Sequence, residues 1–257
     1  MSGGGDLPST GAALVVGGSG GLGGAIAASL CERGAEVALT WRRNREGAEA
    51  LAAALGQGGR AATAHPLDLE DPGSAQRLID AVALAHGGLH TLVYAAGPAI
   101  EQPFISQTSA EQWRAAIDVE LNGFFHLVRA AIPALRAARG SIVALSSAGV
   151  HRYAPGDILS VAPKAAIEAL VRGVAREEGR FGVRANCVAV GVIEAGMFLR
   201  LKETTFSPEW LDAARRNTAL RRFGTAAEVA EVVTFLASAR AAYLTGQTLA
   251  VDGGYSL

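Results

Sequence analysis

Seven short apolar runs recur along this chain, each followed by a longer stretch with helical periodicity, and no other feature limits its architecture as strongly. The runs are AALVV (Ala12 to Val16), EVALT (Glu36 to Thr40), RAATAH (Arg60 to His65), HTLVYAA (His90 to Ala96), SIVALS (Ser141 to Ser146), VRANCVAV (Val183 to Val190) and QTLAVD (Gln247 to Asp252). Most lack period-two alternation, the pattern of strands buried on both faces. In the last intervening stretch Val229, Val232, Val233 and Leu236 share one helical face, with Glu228 and Glu231 opposite. Such alternation predicts an α/β fold, a doubly wound seven-stranded parallel sheet with helices on both faces and ligands beyond the strand C-termini. No Pro/Ser-rich linker divides the 257 residues, so a single domain over residues 11–257 is expected, after a flexible leader over residues 1–10.

Charge and cysteine content narrow the partners. With 24 acidic against 23 basic side chains and no long basic cluster, neither nucleic acid nor an anionic membrane surface is expected as a partner. Leu7 to Cys31 is uncharged, but glycines crowd Gly17 to Gly24, so no membrane span follows. Cys31 and Cys187 form no disulfide framework or metal pattern, which suits a cytoplasmic location and predicts no metal site. Both read as small apolar residues. Only two of the basic residues are lysines, Lys164 and Lys202.

Directly after the first run stands Gly17-Gly18-Ser19-Gly20-Gly21-Leu22-Gly23-Gly24, opening a helical stretch. A glycine-rich turn between strand and helix lets the backbone approach a pyrophosphate, whose charge meets the helix N-terminus. After the second run an acid would select NAD, whereas arginine accommodates the 2′-phosphate of NADP. Here Thr40-Trp41-Arg42-Arg43-Asn44 carries no acid before Glu46, so NADP(H) is the expected cofactor. Solvated surface is the competing reading for Arg43 more than for Arg42.

At this point the chain resembles the short-chain dehydrogenase/reductases, over roughly residues 10 to 257, and is most similar to their acyl-carrier-protein and acyl-CoA reductase branch. The matching features are the Gly17/Gly21/Gly23 spacing, Asp68-Leu69, Ala95-Ala96-Gly97, Ser146-Ser147, the spacing to Lys164, Asn186 and the tail RRFGTAAEVAEVVTFLAS…YLTGQTLAVDGG. The resemblance implies a single Rossmann-type domain. It implies cofactor contacts from Gly17, Ser19, Gly20, Gly21, Leu22 and Gly23, from Trp41, Arg42 and Arg43, from Asp68 and Leu69 at the adenine, and from Ala95, Ala96 and Gly97. Lys164 would hold the nicotinamide ribose, with Gly191, Val192 and Ile193 near the carboxamide. A homotetramer, or a homodimer, is implied as well.

The catalytic set departs from the family pattern of Asn, Ser and Tyr-x3-Lys. Ser147 and Lys164 match, but Ser160 stands at the tyrosine position and Glu120 at the asparagine position, with Asn122 two residues later. A serine hydroxyl is a far weaker acid than tyrosine, whose pKa is about 10. Ser160 and Lys164 still share a helical face, and Pro163 is harmless if it lies in the first turn. Glu120 is expected to meet Lys164 directly or through water; a solvent-facing glutamate is the competing reading. Tyr153, His151 and Asp157 are candidates to supply or relay a proton. The 2,4-dienoyl-CoA reductases, which also carry Ser-x3-Lys, take their tyrosine from a position that here is Gly149.

After the sixth run Val190-Gly191-Val192-Ile193-Glu194-Ala195 lacks the family's threonine. Met197, Phe198, Leu201, Phe206, Trp210 and Leu211 then suggest an apolar substrate lid over residues 191–216. The expected activity is an NADPH-dependent reductase of a conjugated enoyl, enone or ketone in an apolar or acyl-thioester small molecule. Reduction of a C=C depends less on a strong acid, because an enolate can be held by hydrogen bonds. The alternative is a cofactor-binding sensor or accessory subunit without turnover.

Overall fold

The computed structural model describes residues 6–97, 101–196, 198, 199, 202 and 206–257. Its strands are β1 (Ala12–Val16), β2 (Glu36–Trp41), β3 (Ala62–Pro66), β4 (Leu89–Tyr94), β5 (Ser141–Ser147), β6 (Arg184–Val190) and β7 (Thr248–Val251). They form one sheet in the order β3-β2-β1-β4-β5-β6-β7, every pairing parallel. The crossover helices are α1 (Gly21–Glu32), α2 (Arg45–Gly56), α3 (Pro72–His86), α4 (Ala110–Ala116), α5 (Gly123–Ala138), α6 (Ile158–Glu178), α7 (Pro208–Arg216) and α8 (Ala226–Ala237).

Alternating strand side chains split the core into two layers. Leu14, Leu92, Tyr94 and Ile142 meet α3, α5 and α6 on one face through Leu78, Phe124, Leu127 and Ile167. Val15, Leu39, Val93 and Val143 meet α1 and α8 on the other through Ile26, Leu30, Val229 and Val233. Both layers are apolar, so the central strands show no alternation in sequence; the edge strands β3 and β7 are only half-buried. The order reverses between β2-β1 and β1-β4, and the crevice at that switch point is where a ligand of such a sheet sits.

Two boundaries differ from the sequence reading. Leu7 is buried in the α1/α8 layer and the Asp6 carbonyl accepts a 2.8 Å hydrogen bond from Ala239 N–H, so packing begins before residue 11. Pro163 lies inside α6 rather than in its first turn, because the helix already starts at Ile158; the missing N–H leaves the Leu159 carbonyl without its helical donor. Burial pushes the Cys187 thiol up to about 12, which makes it inert. Among the described residues no helix is long and apolar enough to cross a membrane, and no cluster of acidic, His or Cys side chains would hold a metal.

Candidate active site

The dinucleotide end is built almost entirely from backbone. Gly17 turns off β1 with φ +80°, and a Cβ there would lie 2.8 Å from the Ala95 carbonyl oxygen. A Cβ on Gly23 would overlap the Gly17 carbonyl oxygen. Side chains are thus excluded and the turn lies flat against the end of β4. Thr40, buried at the end of β2, accepts a 2.9 Å bond from Gly17 N–H and ties the turn to the sheet. Gly20 caps α1 without a side chain, and the first turn holds no acid, so its N–H groups and dipole face the crevice. This cradle fits a pyrophosphate.

At the far end Trp41, Arg42 and Arg43 line the same cavity. Arg42 is ion-paired to Glu70 and lies 3.8 Å from Asp68, whereas Arg43 makes no ion pair among the described residues. Of the two, Arg43 is thus the arginine that no carboxylate engages among the described residues. The indole N–H of Trp41 is buried without a hydrogen-bond partner among the described residues. Leu69 lines the main cavity, but Asp68 lies in the adjoining hollow with His65 and Arg77.

The other end rests on side chains. Ser147, the last residue of β5, accepts a 3.1 Å bond from Gly149 N–H, which leaves its hydroxyl proton free to donate. From α6, Ser160 and Lys164 line the cavity below it. Lys164 Nζ donates to Glu120 Oε1 at 2.6 Å and to the Leu145 carbonyl at 3.1 Å. The contact with Glu120 is direct. Glu120 is buried because the chain between α4 and α5 widens into a π-helical segment, Ile117–Asn122, which turns it inward. Tyr94 fixes that segment by donating to the Glu120 carbonyl at 3.1 Å, and burial pushes its hydroxyl pKa well up. Asn122 instead bonds Asp118 at the surface and does not replace the family's asparagine.

The loop after Ser147 is only partly brought to this site. Tyr153 is 45% exposed and lies outside the cavity wall. His151 faces away, 3.5 Å from the buried Glu168, which takes a 2.6 Å hydrogen bond from Ser146. Asp157 does line the cavity.

Beyond β6, Gly191, Val192 and Ile193 also line it. Gly224 clamps this stretch by donating to the Val192 carbonyl at 3.0 Å and accepting from Glu194 N–H at 2.8 Å. The Val192 and Ile193 N–H groups are left without a backbone acceptor among the described residues. An aromatic wall follows: Phe206 stacks on Trp210 at 3.9 Å, and Phe198 meets Phe206 at 5.8 Å. Leu211 is not part of it, and Met197 and Leu201 lie outside the described residues. The whole cavity holds about 1410 Å³, more than the roughly 300–1,000 Å³ of a single small-molecule site.

A family model described as Enoyl-(Acyl carrier protein) reductase matches residues 16–256. The 3-oxoacyl-[acyl-carrier-protein] reductase FabG of Staphylococcus aureus is 34% identical over 95% of this chain and 98% of its own, and that of Chlamydia muridarum is 32% identical over 95% and 96%. A short-chain dehydrogenase from Burkholderia cenocepacia, solved with NADP, superposes with a TM-score of 0.90 at 32% identity, covering 98% of this chain and all of that one. This chain belongs to the short-chain dehydrogenase/reductase family. A blue fluorescent protein from a metagenomic library, solved in complex with NADPH, gives 0.88 at 28% identity over 96% of this chain and 98% of its own.

Several site residues of this family member escape sequence reasoning. Thr40 reads as one more strand residue, and only the following Gly-turn contact reveals it. Gln102, which donates to Asp157 at 3.4 Å, and Tyr255, which lines the cavity from the C-terminal tail, carry no local signal at all. Asn186, matched on resemblance, turns out to be a structural tie: its side chain donates to the Leu244 carbonyl and accepts from Gln247 N–H.

Proposed function

We propose that this chain is an NADPH-dependent reductase that delivers hydride to a conjugated enoyl or enone, or to a ketone, in an apolar or acyl-thioester substrate. The observation that carries the reading is one continuous cavity, with the glycine turn and Arg43 at one end and Ser147, Ser160, Lys164 and the aromatic wall at the other. The family model and the FabG relatives are named for reactions on acyl-carrier-protein thioesters, one at C=C and the other at C=O. Both are therefore within reach.

When bound, the nicotinamide supplies the hydride. The chain's own residues do the rest. The α1 N-terminus holds the pyrophosphate, Arg43 meets the 2′-phosphate, and the Ala95 to Gly97 backbone lines the ring path. Lys164 donates to the ribose; Glu120 is its positioning residue, taking one ammonium proton and leaving another for the sugar. Ser147 donates its hydroxyl proton toward the substrate oxygen, steadying the charge that grows there. Ser160, four residues before Lys164, is too short to reach the same oxygen without water. Phe198, Phe206 and Trp210, from the proposed lid segment, form the apolar wall that excludes solvent from an apolar chain.

The test is NADPH against NADH binding by fluorescence, followed by NADPH oxidation over a panel of enoyl thioesters, enones and β-ketothioesters. Turnover of one class with NADPH preferred supports the reading. Tight NADPH binding with no turnover overturns it in favour of a sensor or accessory subunit. We also propose a homotetramer, or a homodimer, which a monomer by light scattering excludes.

A further inference from the structure

Tyr153 lies outside the cavity wall and Ser160 is short and weakly acidic, so the proposed reductase, on whose reading this inference rests, needs another proton source. We infer that the Asp157 carboxyl group is that source, facing the substrate oxygen beside Ser147.

Asp157 sits at the N-cap of α6, where an aspartate ordinarily accepts a hydrogen bond from the first turn. Its side chain makes no such bond. The carboxyl is turned into the cavity instead, and Gln102 Nε2 at 3.4 Å is its one side-chain partner among the described residues. Gly156 permits the turn: its φ is +85°, and a Cβ there would strike the Gln102 carbonyl at 2.8 Å. Gly149 stands between the two groups: a Cβ there would lie 2.9 Å from Val161 Cγ2, 3.1 Å from Ser147 Oγ and 3.3 Å from Asp157 Oδ2, so hydroxyl and carboxyl flank the same glycine. Ser147 Oγ and Asp157 Oδ2 are therefore no farther apart than the sum of their distances to that position.

Among the described residues no charge stands close by to keep the carboxyl ionised: Lys164 is engaged by Glu120, His151 faces Glu168, Glu101 accepts from Gln112, and Arg152 donates to the Tyr255 carbonyl. Tyr255 also lines this cavity. Burial raises the Asp157 pKa, opposed only by the bond from Gln102. As hydride reaches the substrate carbon, the Asp157 O–H bond breaks and an O–H bond forms on the carbonyl or enolate oxygen. The carboxylate left behind regains its proton from water.

The experiment compares wild type, Asp157→Asn, Gln102→Leu and Tyr255→Phe, each saturated with NADPH, using the best substrate of the panel. Asparagine is as good an N-cap as aspartate, so folding is preserved. Asp157→Asn is expected to lose on the order of 10²-fold or more in kcat, to bind NADPH unchanged, and to lose the alkaline fall of the kcat profile. Gln102→Leu removes the bond that favours the charged form and is expected to move that fall to higher pH.

A readout independent of turnover is thermal stability. The folded pKa is raised, so the stability this group contributes is complete below the unfolded carboxylate range and is lost as pH rises through the folded value. Asp157→Asn therefore melts higher than wild type at neutral pH, and the gain vanishes in acid. An Asp157→Asn enzyme within threefold of wild type that keeps its alkaline fall overturns the inference, as does a fall that disappears in Tyr255→Phe instead. Wild type inactive on the whole panel overturns the parent reading, and with it this one.

Discussion

At the C-terminal end of β1 the ligand surface is backbone: glycines too crowded for a Cβ, a helix N-terminus, and Thr40 holding the turn to β2. At the C-terminal end of β5 it is side chains: Ser147, Ser160, the Lys164–Glu120 pair and Asp157. A backbone surface allows almost no substitution, because any side chain collides with the chain itself. A side-chain surface can be rewritten residue by residue while the strands beneath keep their register. The two ends of one cavity are therefore under different physical constraints.

The largest effect that separates them is expected from Lys164→Met. It leaves Glu120 buried without its cation and lowers stability by about 3–5 kcal/mol in chemical denaturation, most of which the double variant with Glu120→Gln restores. A loss below about 1 kcal/mol for the single variant means the pair is not coupled as described. Next comes pH. His90 in β4 is buried with its Nε2 unpartnered, and burial pushes its pKa down to about 4. Its folded pKa lies below the ordinary value near 6.5, so stability is complete above that value and falls between 6.5 and 4 by about 3 kcal/mol. His90→Gln flattens that acid limb without touching the alkaline one assigned to Asp157.

At the cradle, Gly23→Ala forces apart the first turn of α1 and the Gly17 carbonyl, costing about 1–3 kcal/mol and weakening NADPH binding more than tenfold, read by fluorescence. A variant that binds NADPH normally would show that the backbone surface is more forgiving than claimed. The smallest effect expected is on cofactor choice. Arg43→Ala lowers NADPH affinity about tenfold, roughly 1.4 kcal/mol, and leaves NADH unchanged; Arg42→Ala, whose guanidinium already serves Glu70, does less. Equal losses in both variants erase the distinction.

The contrast also explains what was readable in the sequence. Strands buried on both faces announce themselves as apolar runs, and every run found in the sequence corresponds to a strand, with ends shifted by a residue or two where carbonyls continue pairing. The cradle is legible because close backbone approach demands glycine at fixed spacing. The Glu120–Lys164 contact is legible because matched segments bring the two helices together. Tyr153 and Asp157 are another matter. They lie four residues apart in one loop, and only the φ of Gly156 and the contact with Gln102 decide which of them turns inward.

One feature of the side-chain end reaches beyond catalysis. The chain has only two lysines, and Lys164 is buried against Glu120. Lys202, 3.2 Å from Glu194 and about a third exposed, stands on the segment that carries the aromatic wall. Acylating reagents aimed at side-chain amines thus find essentially one target, close in sequence to the proposed lid's aromatic residues Phe198 and Phe206. A single fluorophore or isotope label on Lys202 would report the movement of that segment, with no other lysine to confuse the signal.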